Sequence, residues 1–255
     1  MKIVIGIPAR MGSTRFPGKP LCSIAGMSML EHCYIRCSLS KYATNLFIAT
    51  CDDEIKEAGQ KFGADVIMTA KNIQRPGLRV AEAAETLNLD DDDIVVVVQG
   101  DEPLVHPEMI DIAIEPLLKE KDVFVSNLCA TASLEDLNDP GEIKVVCDLQ
   151  MNALYMSRSA IPSIAHEEIR AQWLKQVCIM PFRWHFLKKF NNELSQTPLE
   201  MQESIEMIRA IQHGYKVRMI PSKFLSKSVD SEVDRKVVEK MMYEDSLFKK
   251  YGKKI

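Results

Sequence analysis

The segment Ile7-Pro8-Ala9-Arg10-Met11-Gly12-Ser13-Thr14-Arg15-Phe16-Pro17-Gly18-Lys19-Pro20 concentrates groups that bind anions. It carries three cations, Arg10, Arg15 and Lys19, with glycines Gly12 and Gly18 and hydroxyls Ser13 and Thr14. Glycine lets a backbone turn sharply and approach a ligand closely. Exposed amide N–H groups beside fixed cations suit a polyphosphate. Neither GxxxxGK[ST] nor GxGxxG is present, so this is not a Walker loop or a dinucleotide fingerprint. A solvated loop with idle cations is the alternative reading. A second candidate is Asp101, just beyond the apolar run Ile94–Val98. An acid at the end of a buried strand is costly unless it is solvated, paired or metal-bound. A Mg2+ ligand fits, because hard cations prefer carboxylate oxygen. A turn aspartate capping a nearby helix is the alternative.

The elements that must position these residues alternate in type. Residues 2–7 read as a first strand, leading into the cationic loop. Helical periodicity covers 27–38, 53–62, 80–87 and 107–118, and strands are expected at 46–50, 65–68 and 94–98. Five consecutive β-branched residues, Ile94–Val98, suit a central strand covered on both faces. This order predicts an α/β fold with a doubly wound, mainly parallel mixed sheet. Ligands of such sheets gather beyond the carboxyl ends of the strands. In the second half, strands are expected at 124–130, 144–148, 153–156, 177–180 and 217–220. Helices are expected at 181–190, 199–213 and 231–243, the last opened by a capping-box pair, Ser231 and Asp234. No repeat, low-complexity tract or linker interrupts the chain. A single domain over 1–255 is expected, with a nucleotide-binding half over about 1–120 and an elaboration over about 121–230.

Composition narrows the function classes. Of 255 residues, 46% are hydrophobic and 27% charged, which suits a soluble globular protein rather than a disordered one. The net charge of −4 argues against a nucleic-acid binder that relies on overall positive charge. No apolar run approaches the ~20 residues of a membrane span, and Lys2–Ile7 is too short for a signal peptide. A cytoplasmic protein without membrane insertion is expected. The seven cysteines contain no CxxC pair and read as reduced, mostly buried thiols. His32, His166 and His185 lack metal-ligand spacing, and Cys51 has no histidine nearby to activate it. The fourteen methionines suit core gaps or an interface. Lys249-Lys250 and Lys253-Lys254 read as a solvated tail.

Several segments, in order, resemble the CMP-Kdo synthetase (3-deoxy-manno-octulosonate cytidylyltransferase) family. They are Ala9-Arg10, Ser13-Thr14-Arg15 and Pro17-Gly18-Lys19-Pro20, then Gln99-Gly100-Asp101-Glu102-Pro103. Lys144-Val145-Val146, Ala153–Arg158 and Ile161-Pro162 follow. Pro198-Leu199-Glu200, Glu203-Ser204, Arg209-Ala210 with Gly214-Tyr215, and Val229-Asp230 complete the series. The resemblance implies that Arg10 and Lys19 hold the CTP triphosphate, helped by Arg15 and backbone groups. Ala9, Gly12, Ser13 and Gln99 then belong to the nucleotide site. It implies Mg2+ on Asp101 and Asp230, although Asp230 read alone is a helix N-cap. The metal would lower the pKa of the attacking hydroxyl and neutralise transition-state charge. An acidic sugar invites an arginine clamp, for which Arg79 and Arg158 are candidates. Glu203 is assigned to sugar hydroxyls; without the resemblance it is a solvated helix-face residue. A homodimer with contacts from 126–162 is also implied.

The sugar-side motifs depart from the family. Its Ser-Gly-Thr-Asp/Glu-Arg segment is Arg75-Pro76-Gly77-Leu78-Arg79 here, and only the last residue matches. Its His-(apolar)-Gly-(apolar)-Tyr run is Gln176-Val177-Cys178-Ile179-Met180, so Gln176 and Met180 replace the His and Tyr. Its Ala-Thr-Asp is Ala49-Thr50-Cys51, with Asp52 following. Sites built on buried polar partners discriminate strongly when those partners change. The expected reaction is therefore cytidylyl transfer from CTP to Kdo or a Kdo-like sugar acid, with a different or modified acid favoured. The competing hypotheses are another nucleotide or acceptor on the same fold, and a catalytically silent nucleotide- or sugar-binding protein. Retention of both Asp101 and Asp230 argues against the silent binder.

Overall fold

The computed structural model describes residues 1–13, 15–163, 172–224 and 226–252. Thr14, His166, Lys253 and Lys254, named above, lie outside them. Among the described residues twelve strands appear in chain order. In the first half they are β1 (Ile3–Pro8), β2 (Ser23–Ile24), β3 (Met27–Ser28), β4 (Asn45–Thr50), β5 (Val66–Met68) and β6 (Ile94–Val98). In the second half they are β7 (Ser126–Thr131), β8 (Lys144–Cys147), β9 (Ala153–Ser157), β10 (Leu174–Val177), β11 (Ile179–Arg183) and β12 (Arg218–Pro221).

The expected α/β class and mixed, mainly parallel sheet are found. The order is β11-β6-β1-β4-β5, parallel except for the edge strand β11. β6 is buried along its whole length, and its side chains divide by the strand's period of two. Val95 and Val97 pack with Val80 and Ala84 of the helix Pro76–Ala84. Ile94, Val96 and Val98 pack with Met109, Ile110 and Ala113 of the helix Pro107–Lys119. The apolar run and its two-sided cover are thus one fact, read first in sequence and then in packing.

The second half builds its own five-stranded sheet, β12-β7-β10-β8-β9, mostly antiparallel. The strand expected at 177–180 is broken at Cys178, where the chain leaves the second sheet at β10 and enters the first at β11. The helix expected at 181–190 is corrected in the same way. Pro181–Arg183 are strand residues paired with β6, because an edge strand tolerates proline, and the helix runs over Trp184–Asn192. The helix expected at 199–213 is two short helices, Pro198–Glu203 and Met207–Gln212, separated by Ser204 in the left-handed conformation at φ 56°. Helix 27–38 begins at Met29, after the β2–β3 hairpin, with Ser28 as its N-cap. No described helix is long and apolar enough to cross a membrane.

A buried ion pair joins the two short helices. Arg209 donates to both carboxylate oxygens of Glu200, at 2.8 and 2.5 Å, and to the Phe190 carbonyl at 3.1 Å. Both side chains are almost wholly buried, at 2% and 0% exposure. Removing one partner of such a pair strands the other charge, at about 3–5 kcal/mol. Arg209→Met should therefore lower unfolding free energy by that amount in urea denaturation. A loss below about 1 kcal/mol would contradict this role for the pair.

Candidate active site

Two strand ends and one distant turn bring the chemistry together. β1 ends at Pro8 and releases the cationic loop, while β6 ends at Val98 and releases Gln99-Gly100-Asp101. A side chain at Gly100 would meet the Pro8 carbonyl at 3.1 Å, so glycine allows the two turns to touch. Gly18 adopts φ 72° before the short 3-10 turn Lys19–Leu21, which turns Lys19 towards Asp101. The Val229 amide donates to the Asp101 carbonyl at 2.9 Å, setting Asp230 beside Asp101. Asp52 fixes the loop itself, since its carboxylate accepts from the Met11 amide at 2.7 Å.

The ammonium of Lys19 lies between two carboxylates, 2.7 Å from Asp101 Oδ2 and 2.9 Å from Asp230 Oδ1. Arg15 reaches the same Asp230 oxygen at 2.9 Å. Burial would lower the Lys19 pKa, but the charge and hydrogen bond of Asp101, then those of Asp230, outweigh it and raise it above the ordinary value. The alternatives left open by sequence close here. His106 caps the helix Pro107–Lys119 and Ser231 caps Glu232–Glu244, so neither Asp101 nor Asp230 is a cap. Asp234 bonds to the Ser231 hydroxyl and, at 3.3 Å, to the Asp230 amide.

The two carboxylate oxygens converge on one cation, and both side chains are partly exposed. Mg2+ takes one or two carboxylates and completes its shell with water and substrate phosphate. The pair fits that chemistry. No cluster of three or more His, Cys, Asp or Glu forms a metal cage among the described residues. Next door, burial pushes Glu102 up to about 7; a hydrogen bond from Ser226 opposes this and the Asp101 charge adds to it.

Two cavities open on this cluster, of about 290 and about 380 Å³. Arg10, Arg15, Pro76, Gln99, Asp101 and Asp230 line both. Ala9, Ser13, Lys19 and Arg79 line the first only, and Arg158 and Gln176 the second only. Gly12 and Glu203 line neither. Arg10 donates to Gln74 at 2.6 Å. Arg79 is buried and donates to the Thr69 hydroxyl and the Ile73 carbonyl, so it holds the loop before its helix. Arg158 donates to the carbonyls of Glu203 and Pro140 at 2.8 and 2.9 Å. Glu203 is not a solvated face residue. It accepts from Tyr155, Ser157 and the Arg158 amide, which pins β9 to the short helix. Lys144 is buried and donates to the carbonyls of Asp139, Glu142 and Arg158, closing the same wall. Gln176 donates to Asn127 Oδ1. Burial pushes the Cys178 thiol well up, which disfavours its thiolate.

Sequence reasoning missed Glu206. It lines the larger cavity, and its Oε2 accepts from the Gly77 amide at 3.4 Å. Its Oε1 is shut off from solvent with no partner among the described residues, and burial raises its pKa. Its only signal was the helix break at Ser204, hidden inside an apparently continuous helical pattern.

A family model described as Cytidylyltransferase matches residues 3–227. Over 243 residues the chain is 38% identical to the 3-deoxy-manno-octulosonate cytidylyltransferase of Solibacter usitatus, covering 94% of each chain. It is also 38% identical over 250 residues to the 8-amino-3,8-dideoxy-manno-octulosonate cytidylyltransferase of Shewanella sediminis, covering 96% of this chain and 100% of that one. A CMP:2-keto-3-deoxy-manno-octonic acid synthetase solved with CTP superposes with a TM-score of 0.89 at 32% identity, over 96% of this chain and 99% of that one. A cytidylyltransferase of Leptospira borgpetersenii, at 20% identity and a TM-score of 0.67, shares the fold. Matched in sequence and in structure along nearly all its length, the chain belongs to the cytidylyltransferase family.

Proposed function

We propose that the chain transfers CMP from CTP to a hydroxyl of a Kdo-like 2-keto-3-deoxy sugar acid, releasing pyrophosphate. The observation that carries this reading is the lining shared by the two cavities, which holds Arg10, Arg15, Asp101 and Asp230, with Lys19 bridging the two carboxylates from the smaller cavity. CTP fits the smaller cavity, with Arg10, Lys19 and Arg15 at its phosphates and Ala9, Ser13 and Gln99 around it. Gly12 contributes backbone freedom to that loop. The sugar acid fits the larger cavity, beside Gln176 and Glu206.

The acceptor oxygen attacks the α-phosphorus, the bond to the bridging oxygen breaks, and pyrophosphate departs with that electron pair. The hydroxyl proton is lost to water. Charge builds on the departing pyrophosphate, and cations already fixed in place stabilise it more than water would. Lys19 supplies a movable point charge, and Arg10 a planar fork that bridges phosphate oxygens. Held by Asp101 and Asp230, Mg2+ would lower the pKa of the acceptor hydroxyl and neutralise charge at the α-phosphate. Arg79, Arg158 and Glu203 act as positioning residues, each fixing a cavity wall through the hydrogen bonds described above. Glu206, once its side chain turns toward the cavity, offers its carboxyl group to a hydroxyl or amino group of the sugar.

We also propose a cytoplasmic homodimer using 126–162. β9 is the outer strand of its sheet, with Leu154 exposed within it and Leu149 exposed just before it. Light scattering should give twice the chain mass; the single-chain mass would contradict the dimer.

Pyrophosphate release with a sugar acid should be fastest with CTP and at least about tenfold slower with UTP, GTP and ATP. Equal rates would refute the base assignment. Asp101→Asn should lower kcat by about 10²–10³-fold, the usual effect of removing one stabiliser of transition-state charge. Unchanged metal binding and turnover would refute the metal assignment. Because Gln176 and Met180 replace hydrogen-bonding partners of the family, kcat/KM for unmodified Kdo should fall about tenfold or more below that of the Solibacter enzyme. Equal values would show that the acceptor is unchanged.

A further inference from the structure

The larger cavity sets five carboxylates, those of Asp101, Glu102, Glu142, Glu206 and Asp230, against four arginines. A sugar acid adds one more negative charge, so it needs a cation not already engaged. Arg15 is paired with Asp230, and Arg158 is held by backbone carbonyls. Arg10 also faces the smaller cavity, where the phosphates are assigned. Arg79, which matches the last residue of the family segment, is buried among its own loop contacts.

Arg75 differs from all of these. It is the N-cap of the helix Pro76–Ala84, and its guanidinium donates to the Ser204 hydroxyl at 3.1 Å. It forms no ion pair within 4.0 Å among the described residues, although its charge acts on the nearby Glu206 and opposes the rise that burial causes there. Among the described residues its other N–H groups have no partner, at a wall that also carries Glu206, whose Oε1 has none there either. Cys178, Met180, Ile143 and Met207 line the cavity as well and offer no positive charge.

We propose that Arg75, which stands where the family segment has serine, is the specificity residue that binds the carboxylate of the acceptor sugar acid. The inference rests on the sugar-acid reading above. A guanidinium presents parallel N–H donors that match both oxygens of a carboxylate, fixing orientation as well as adding affinity. Ser204 in its left-handed turn holds one edge of the guanidinium and leaves the other for the ligand.

The test compares wild type, Arg75→Ser and Arg75→Lys. The acceptor is whichever of Kdo and its 8-amino analogue the wild type uses faster, assayed as the acid and as its neutral C1 amide. Arg75→Ser should raise KM for the acid about 10- to 100-fold, the worth of a charge-assisted hydrogen bond, and leave KM for CTP unchanged. Arg75→Lys should recover part of the loss. The amide should be a poor acceptor for wild type by a similar factor and no poorer for Arg75→Ser. An Arg75→Ser enzyme with unchanged KM for the acid, or with equal losses on acid and amide, would overturn the assignment while leaving the sugar-acid reading intact. A wild type that binds CTP but converts neither sugar acid would defeat that reading, and this inference with it.

Discussion

The site depends on one ammonium group held between two carboxylates that lie 129 positions apart in the chain. Lys19 bonds to Asp101 and Asp230 at 2.7 and 2.9 Å, and Arg15 adds a second cation on Asp230. Two carboxylates this close repel one another unless a cation lies between them. The fold therefore has to deliver the cationic loop, the end of β6 and the turn at Val229-Asp230 to one point together. Any cation that takes the position of Lys19 meets oxygen ligands suited to a divalent metal. The lysine is then free to serve as a point charge on phosphate.

The rest of the architecture follows from this requirement. The first sheet places β1 and β6 side by side in parallel, so that both release their loops at the same edge. The second sheet joins it at Cys178, whose carbonyl accepts from the Gln99 amide at 3.3 Å. The larger cavity lies along that junction, which explains why Gln176, Cys178 and Met180 line it together. Charged side chains are tied down in and behind its other walls. Lys144, Arg158, Glu203 and the Glu200–Arg209 pair are all tied to neighbouring backbone or to one another. Arg75 and Glu206 stand out against that background by their unused hydrogen-bonding capacity.

Much of this was legible in the chain. The five β-branched residues Ile94–Val98 are the buried central strand, because a strand covered on both faces must be apolar throughout. The clustering of Arg10, Arg15 and Lys19 after β1 marked the loop, and Asp101 was marked by its place after β6. What could not be read depends on contacts between distant segments. Arg79 and Glu203 have side chains that suit a substrate, yet tertiary neighbours hold Arg79 in a cavity wall and Glu203 behind one. The apolar run Ile179–Phe182 fits a helix or a strand equally well, and pairing with β6 decides it. Glu206 was hidden because Ser204 breaks the helix without the glycine or proline that usually signals a break.

The most direct measurement of the central claim is phosphorus NMR of the chain incubated with CTP, Mg2+ and a 2-keto-3-deoxy sugar acid. The account predicts that the CTP resonances give way to equal amounts of pyrophosphate and a single CMP-sugar phosphodiester, and that Asp230→Asn abolishes both. Release of CDP and phosphate, or of free CMP with no sugar-linked product, would contradict it.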